Sequence, residues 1–159
     1  MERGAKRKSV DMDGFLPSSF SPLTSPRTVL VFGVFDGVHE GHRALFRQAK
    51  AHGERLVGAV AQDTIVERLK GKLPQHAIGE RIALLRQEPL VDEAIPGDTE
   101  LGAYTAVTEH RPAVVVLGYD QKALGEDLGL TARQRGWDFG IITADAHEPE
   151  TYHNSLLKK

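Results

Sequence analysis

The chain has 159 residues, 40% of them hydrophobic and 26% charged, with a net charge of −2 and no cysteine. That length suits one full-sized domain, and the apolar-to-charged balance is that of an ordinary globular fold. Near-neutral charge gives no electrostatic reason for a nucleic-acid or membrane partner, no apolar stretch approaches the roughly 20 residues of a membrane span, and the lack of cysteine excludes disulfides, thiolate catalysis and Cys-ligated zinc.

Residues 1–26 are rich in Ser, Pro, Gly and charge and carry no apolar period. They read as a disordered or loosely docked leader, with Phe15, Leu16 and Phe20 as the side chains that would dock. Basic residues (Arg3, Lys6, Arg7, Lys8) run into the acidic DMDG where a signal peptide has its apolar core, so a cytoplasmic protein is expected. Residues 27–159 are expected to form the domain. TVLVFGVF, from Thr28, is a β-branched and aromatic run of strand length. A helix follows through RALFRQAKAHG, with Gly53 at its C-terminus. RLVGAVA (55–61) is a second strand, DTIVERLK a short helix begun by Asp63, and residues 77–87 a helix stopped by Pro89. VDEAIPG holds a short third strand. TELGAYTAVTEH predicts an amphipathic helix capped by Thr99 and ended by Pro112. AVVVLG (113–118) is the most buried-looking strand, residues 122–135 are helical, and WDFGIIT supplies the fifth strand.

Strands of near-continuous apolar character alternating with helices predict an α/β fold: a Rossmann-like, doubly wound parallel sheet of five strands in the order 3-2-1-4-5. In such sheets the ligand sits beyond the strand C-termini, where the strand order reverses. Two polar-rich strand exits, DGVHEGH after the first strand and GYDQK after the fourth, become neighbours in that order.

The segment GVFDGVHEGH (33–42) carries the most chemistry. It lacks the Lys-Ser or Lys-Thr of a phosphate loop, its glycines are four apart where G-x-G-x-x-G needs other spacings, and its second histidine comes one residue too early for H-E-x-x-H. Gly41 and His42 open a helix, and a helix N-terminus offers unpaired N–H groups and a positive dipole end to a phosphate. Gly41 lets backbone approach an anion closely. His39 and His42, three residues apart, can point to one side of the first turn and donate to phosphate oxygens, the more strongly if protonated. The competing reading makes one histidine a helix cap and leaves the other solvated; the H-x-G-H grouping favours phosphate binding over it.

Gly33-Val34-Phe35-Asp36 followed by His39-Glu40-Gly41-His42 resembles the G-x-F-D-x-x-H-x-G-H signature of the cytidylyltransferase-like nucleotidyltransferases, and the resemblance covers nearly everything after Thr28. AQDTIVERLKGK is similar to the next family segment, where lysines follow the second strand. RPAVVVLGYDQK resembles the fourth strand and exit of the small single-domain FAD synthetases, and glycerol-3-phosphate and heptose-phosphate nucleotidyltransferases are similar over the same span.

The resemblance implies the HUP type of nucleotidyltransferase fold. It implies transfer of AMP or CMP from ATP or CTP to a phosphorylated acceptor (FMN, or a polyol, sugar or alcohol phosphate), release of pyrophosphate, a Mg²⁺ or other divalent cation, and a homodimer. By the same resemblance His39, His42 and Lys72 are the catalytic candidates. Val34, Phe35, His39, Glu40, Gly41, His42, Lys70, Asp120, Asn154 and Ser155 are the nucleotide-binding candidates. Asp36 is expected to orient the turn in preference to holding Mg²⁺ through water. Arg81 either reaches a phosphate or makes a surface ion pair, Asp120 meets the ribose or base or else caps a helix, and Trp137 packs near the last strand. His52, His76, His110 and His147 read as surface residues. The family's C-terminal motif, often I-S-S-T before a basic residue, corresponds here to TYHNSLLKK: Asn154 stands where serine is common, Ser155 matches, and Lys158 or Lys159 supplies the charge. That divergence supports an alternative, a nucleotide-binding module with lost or weak catalysis. An aminoacyl-tRNA synthetase fragment is disfavoured, since no K-M-S-K-S segment is present.

Overall fold

Valine-rich, β-branched sequence makes the first strand, β1 (Thr28–Gly33), the centre of a sheet in the computed structural model, which describes residues 26–145. β1 pairs in parallel with β2 (Arg55–Val60) from Thr28↔Arg55 to Gly33↔Val60, and with β4 (Val114–Leu117) on its other side. The edges are β3 (Glu93–Pro96) against β2 and β5 (Gly140–Thr143) against β4. The order is therefore β3-β2-β1-β4-β5, the predicted 3-2-1-4-5. Helices α1 (Glu40–Lys50), α2 (Asp63–Lys70), α3 (Ile78–Arg86), α4 (Thr105–His110) and α5 (Lys122–Arg135) make the connections.

Alternate residues of each central strand feed opposite faces, and both faces are dry. Val29 and Val31 of β1, Leu56 and Val60 of β2, and Val114 and Val116 of β4 pack with Phe46 and Ala49 of α1 and Ile82 and Leu85 of α3. Leu30, Val57, Ala59, Val115 and Leu117 pack on the other face with Val107 of α4 and Leu128 of α5. A strand buried on both faces cannot alternate apolar with polar, which is why these strands read as continuous apolar runs.

One predicted element is shorter than its sequence suggests. The helix expected from Thr99 forms only over Thr105–His110, because Gly102 (φ 83°) and Tyr104 (φ 50°) take left-handed conformations that interrupt a helix. Asp98, rather than Thr99, accepts the first helical N–H, from Thr105 at 2.8 Å. Tyr104 gains from the break: its ring enters the core edge-on to Phe32, and its hydroxyl donates to Asp127 at 2.6 Å. Trp137 packs beside Phe139 before β5, as expected, with the Arg135 guanidinium over its ring.

β1 and β4 pair only at Val29↔Val114 and Leu30↔Val115, although both strands continue. The ladder between them ends at Leu30, and beyond it lies the carboxyl end of the sheet where the strand order reverses, the place of the ligand crevice in doubly wound sheets.

Candidate active site

The β1 side of the crevice is built by a chain that folds back beneath itself. Phe35 has a φ of 52° and is only 2% exposed, with its ring against Phe46 and His42. A Cβ on Gly33 would stand 2.6 Å from that ring, so glycine is required there. Left-handed backbone in a bulky residue persists only where the surroundings impose it. Here the imposing contacts are the buried ring and the carboxylate that follows. Asp36 accepts the backbone N–H groups of Gln75 (2.7 Å) and His76 (3.0 Å). Burial pushes its carboxyl up, but those two donors and the charges of His76 and Arg81 outweigh burial and hold it below 3.8. Asp36 thus braces the turn, the role preferred for it from sequence.

Two histidines open α1. His39 is the N-cap: its Nδ1 accepts the Gly41 N–H at 3.0 Å, and the Nδ1 of His42 accepts the His39 N–H at 3.2 Å. This is a capping box with imidazoles in place of hydroxyl and carboxylate. The two rings stack with centroids 3.9 Å apart. A Cβ on Gly41 would lie 2.9 Å from the His39 ring, so the glycine between the histidines is needed by the ring above it. Its N–H is spent on that ring too.

Burial also sets the protonation of the pair. Burial, and then the neighbouring His39, push His42 from 6.5 down to about 4, with Asp120 opposing weakly. Burial, and then Arg43, lower His39 as well. Both rings are neutral at pH 7. Since each Nδ1 accepts a hydrogen bond, each ring carries its proton on Nε2. Capping and ligand binding are therefore compatible: one nitrogen of each imidazole holds the helix and the other is an N–H donor.

Across the crevice, Gln121 spans the gap between the diverging strands. Its Oε1 accepts the Gly118 N–H at 2.7 Å and its Nε2 donates to the Phe32 carbonyl at 2.9 Å. Gln121, not Asp120, occupies the N-cap position of α5, and it makes no side-chain cap bond. Asp120 is exposed and close enough to raise the His42 pKa, so the β1 and β4 exits meet as the strand order required.

Arg81 overturns both of its expected roles. It is 0% exposed and sits between three elements. Nη1 donates to the Val34 carbonyl (2.8 Å), Nη2 to Asp63 (2.6 Å) and Nε to the His76 carbonyl (2.9 Å). A buried guanidinium so surrounded is a structural clasp, and its spacing within α3 gave no sign of it. His76, read as a surface residue, contributes its backbone at both poles to the same clasp.

Lys70 and Lys72 stand exposed at the end of α2, on either side of Gly71 (φ 80°), with no hydrogen bond or ion pair among the described residues. Glu40 points along α1 to Arg43 (2.9 Å), which in turn grips Glu88 through two bonds of 3.0 and 3.2 Å. Asn154 and Ser155 lie outside the described residues, as do Lys158, Lys159 and the leader through Thr24 and Ser25. Among the described residues no group of three or more His, Asp or Glu could hold a metal ion, and no helix is long and apolar enough to cross a membrane. A hollow of about 420 Å³ lined by Val107, Arg111, Trp137 and Phe139 lies at the other end of the sheet, just before β4 and β5 begin. Thr108 and Asp138 also line it, but it lies at the opposite end of the sheet from the histidine turn and the GYDQ exit.

A model of the family described as cytidylyltransferase-like matches residues 30–138. The FAD synthase of Aciduliprofundum boonei is 39% identical over 114 residues, covering 72% of this chain and 75% of its own. The FAD synthase of Thermoplasma acidophilum is 33% identical over 131 residues, covering 82% and 91%. Among solved structures, the lipopolysaccharide core biosynthesis protein of Thermoplasma volcanium superposes with a TM-score of 0.71 at 31% identity, covering 78% of this chain and 100% of that one.

Proposed function

The chain belongs to the cytidylyltransferase-like family of nucleotidyltransferases, and from that premise we propose that it adenylates FMN: an acceptor phosphate oxygen attacks the α-phosphorus of ATP, a new P–O–P bond forms, and pyrophosphate leaves. The observation that carries this reading is the pair of neutral imidazoles at the start of α1, each locked through Nδ1 and stacked on the other. An ionised acceptor phosphate needs no protein nucleophile and no strong base. What the reaction needs is fixed donors where charge gathers on the transferred and leaving phosphates. His39 and His42 are those donors, and a neutral imidazole N–H donates a hydrogen bond without giving up its proton.

Val34 and Phe35 give the nucleotide a rigid backbone wall, Glu40 and Gly41 complete the turn beneath its phosphates, and Asp120 faces the ribose or base. Lys70 and Lys72 meet the triphosphate or the acceptor phosphate, and Asn154 and Ser155 complete the grip. With no cage of acidic residues among those described, a Mg²⁺ ion would travel on the phosphates of the nucleotide, the usual habit of that ion. It would screen phosphate charge; the chain's own groups orient and donate. FMN is favoured over polyol and sugar phosphates because the GYDQ exit is shared with FAD synthetases, and a cytoplasmic homodimer with the domain at 27–159 completes the reading.

Incubation with Mg²⁺ and either ATP or CTP, against FMN, glycerol 3-phosphate, phosphocholine and heptose 1-phosphate, tests it. FAD and pyrophosphate from ATP and FMN are expected. Pyrophosphate with another pair would change the substrates, and none with any pair would leave the nucleotide-binding module.

A further inference from the structure

The clasp around Arg81 joins two parts of the site, the β1 exit and the segment that carries the lysines. The segment from Asp63 to His76 carries Lys70 and Lys72 near its middle, and residues 67–73 of it are exposed. Both of its ends are tied to the β1 exit. At the start, Asp63 binds Arg81, whose Nη1 holds the Val34 carbonyl. At the finish, the His76 carbonyl accepts from the Nε of the same guanidinium, while the Gln75 and His76 N–H groups donate to Asp36. Val34 and Asp36 lead directly into the turn that presents His39 and His42. One buried cation and two carboxylates therefore tie the ends of the lysine arm to the turn that carries the imidazoles.

We propose that Arg81, with Asp36 and Asp63, is a positioning residue that couples the lysine arm to the histidine turn, so that the two act on the phosphates as one unit. The physical reason lies in contrast: the exposed tip, residues 67–73, makes no side-chain hydrogen bond or ion pair among the described residues, so its place follows from the buried Ile65 and Val66 of α2 and from the two anchored ends. A shift of about 1 Å at a catalytic group costs about 10²-fold in rate, so loosening one anchor is felt at Lys72 without touching it.

This inference rests on the nucleotidyl-transfer reading and on Lys72 meeting a phosphate, and a mutant cycle separates its failure from theirs. kcat and KM for pyrophosphate release from ATP and FMN are measured for Lys72→Ala, Asp63→Ala and the double variant, each checked for cooperative thermal unfolding. Lys72→Ala is expected to lower kcat about 10²-fold, as loss of one charge-stabilising donor does. Asp63→Ala is expected to lower kcat about 10-fold with KM for ATP nearly unchanged, and the double variant to fall within about 3-fold of Lys72→Ala alone. Effects that multiply, or an Asp63→Ala variant with full kcat, overturn the coupling while leaving the reaction intact. A harmless Lys72→Ala overturns the lysine's role and the coupling with it. Should Asp63→Ala fail to fold, Asp36→Asn releases the other anchor and runs the same cycle.

Discussion

The β1 and β4 exits face each other across one crevice, yet they are held in opposite ways. At the β1 exit nearly every polar side chain is engaged in structure: Asp36 holds the Gln75–His76 backbone, and both histidines hold α1 through Nδ1. At the β4 exit Gln121 bridges Gly118 and Phe32, and its neighbour Asp120 is exposed. Fold and chemistry are fused in the same side chains on one side and divided between adjacent residues on the other. Mutations should therefore be hard to interpret at the first exit and clean at the second.

The largest expected effect tests how firmly the first exit is held. Arg81→Met removes a buried charge from Asp63 and from two carbonyls, and should cost about 3–5 kcal/mol of stability, read from the urea midpoint. An unchanged midpoint would mean that the exit does not depend on its clasp. Next comes the fusion of cap and donor at His39. Asn is a good N-cap, so His39→Asn should keep the thermal midpoint close to that of the parent protein while lowering kcat about 10²–10³-fold. His39→Ala should lose both, and equal loss of stability in the two variants would contradict the division between Nδ1 and Nε2.

The pH dependence sharpens the same point. Folding lowers His42 from 6.5 to about 4, so between those values the unfolded chain binds more protons. Stability from this group is complete above pH 6.5 and is lost on acidification towards pH 4, by about 3 kcal/mol; Asp36 adds a further loss that sets in as pH falls past its ordinary value of 3.8 and is complete below its depressed one. His42→Asn should flatten the upper window in urea titrations at stepped pH. The smallest effects belong to the β4 exit. Gln121→Ala should cost about 1–3 kcal/mol for the Gly118 N–H and Phe32 carbonyl left without a partner. Asp120→Asn should change stability by less than about 0.5 kcal/mol. Because Asp120 raises the His42 pKa, its removal should move the His42 titration, followed by NMR, to lower pH.

Much of the fold was legible in the chain because apolar runs bounded by Gly, Pro and helix caps are local signals. α2 and α5 begin and end where their sequences predicted, at Asp63–Lys70 and Lys122–Arg135. The strand order followed from continuous apolar strands alternating with helices, and it brought DGVHEGH beside GYDQK before any contact was known. The histidines and Asp36 stood out for the same reason: several special residues within one short strand exit.

What sequence could not decide is which atom of each residue does what. Whether an imidazole caps or donates depends on the direction of the other ring, and the stacked pair does both. Arg81 and a surface arginine look alike in a helix until Val34, Asp63 and His76 close around one of them. The helix expected at residues 99–104 gave way to Tyr104, whose inward turn depends on Asp127, far along the chain. Hydrophobic period and turn chemistry act between neighbours, so the chain alone determines elements, their order and the place of the site. Burial, tautomer and the partner of a buried charge act between residues distant in sequence, and only the assembled tertiary structure decides them.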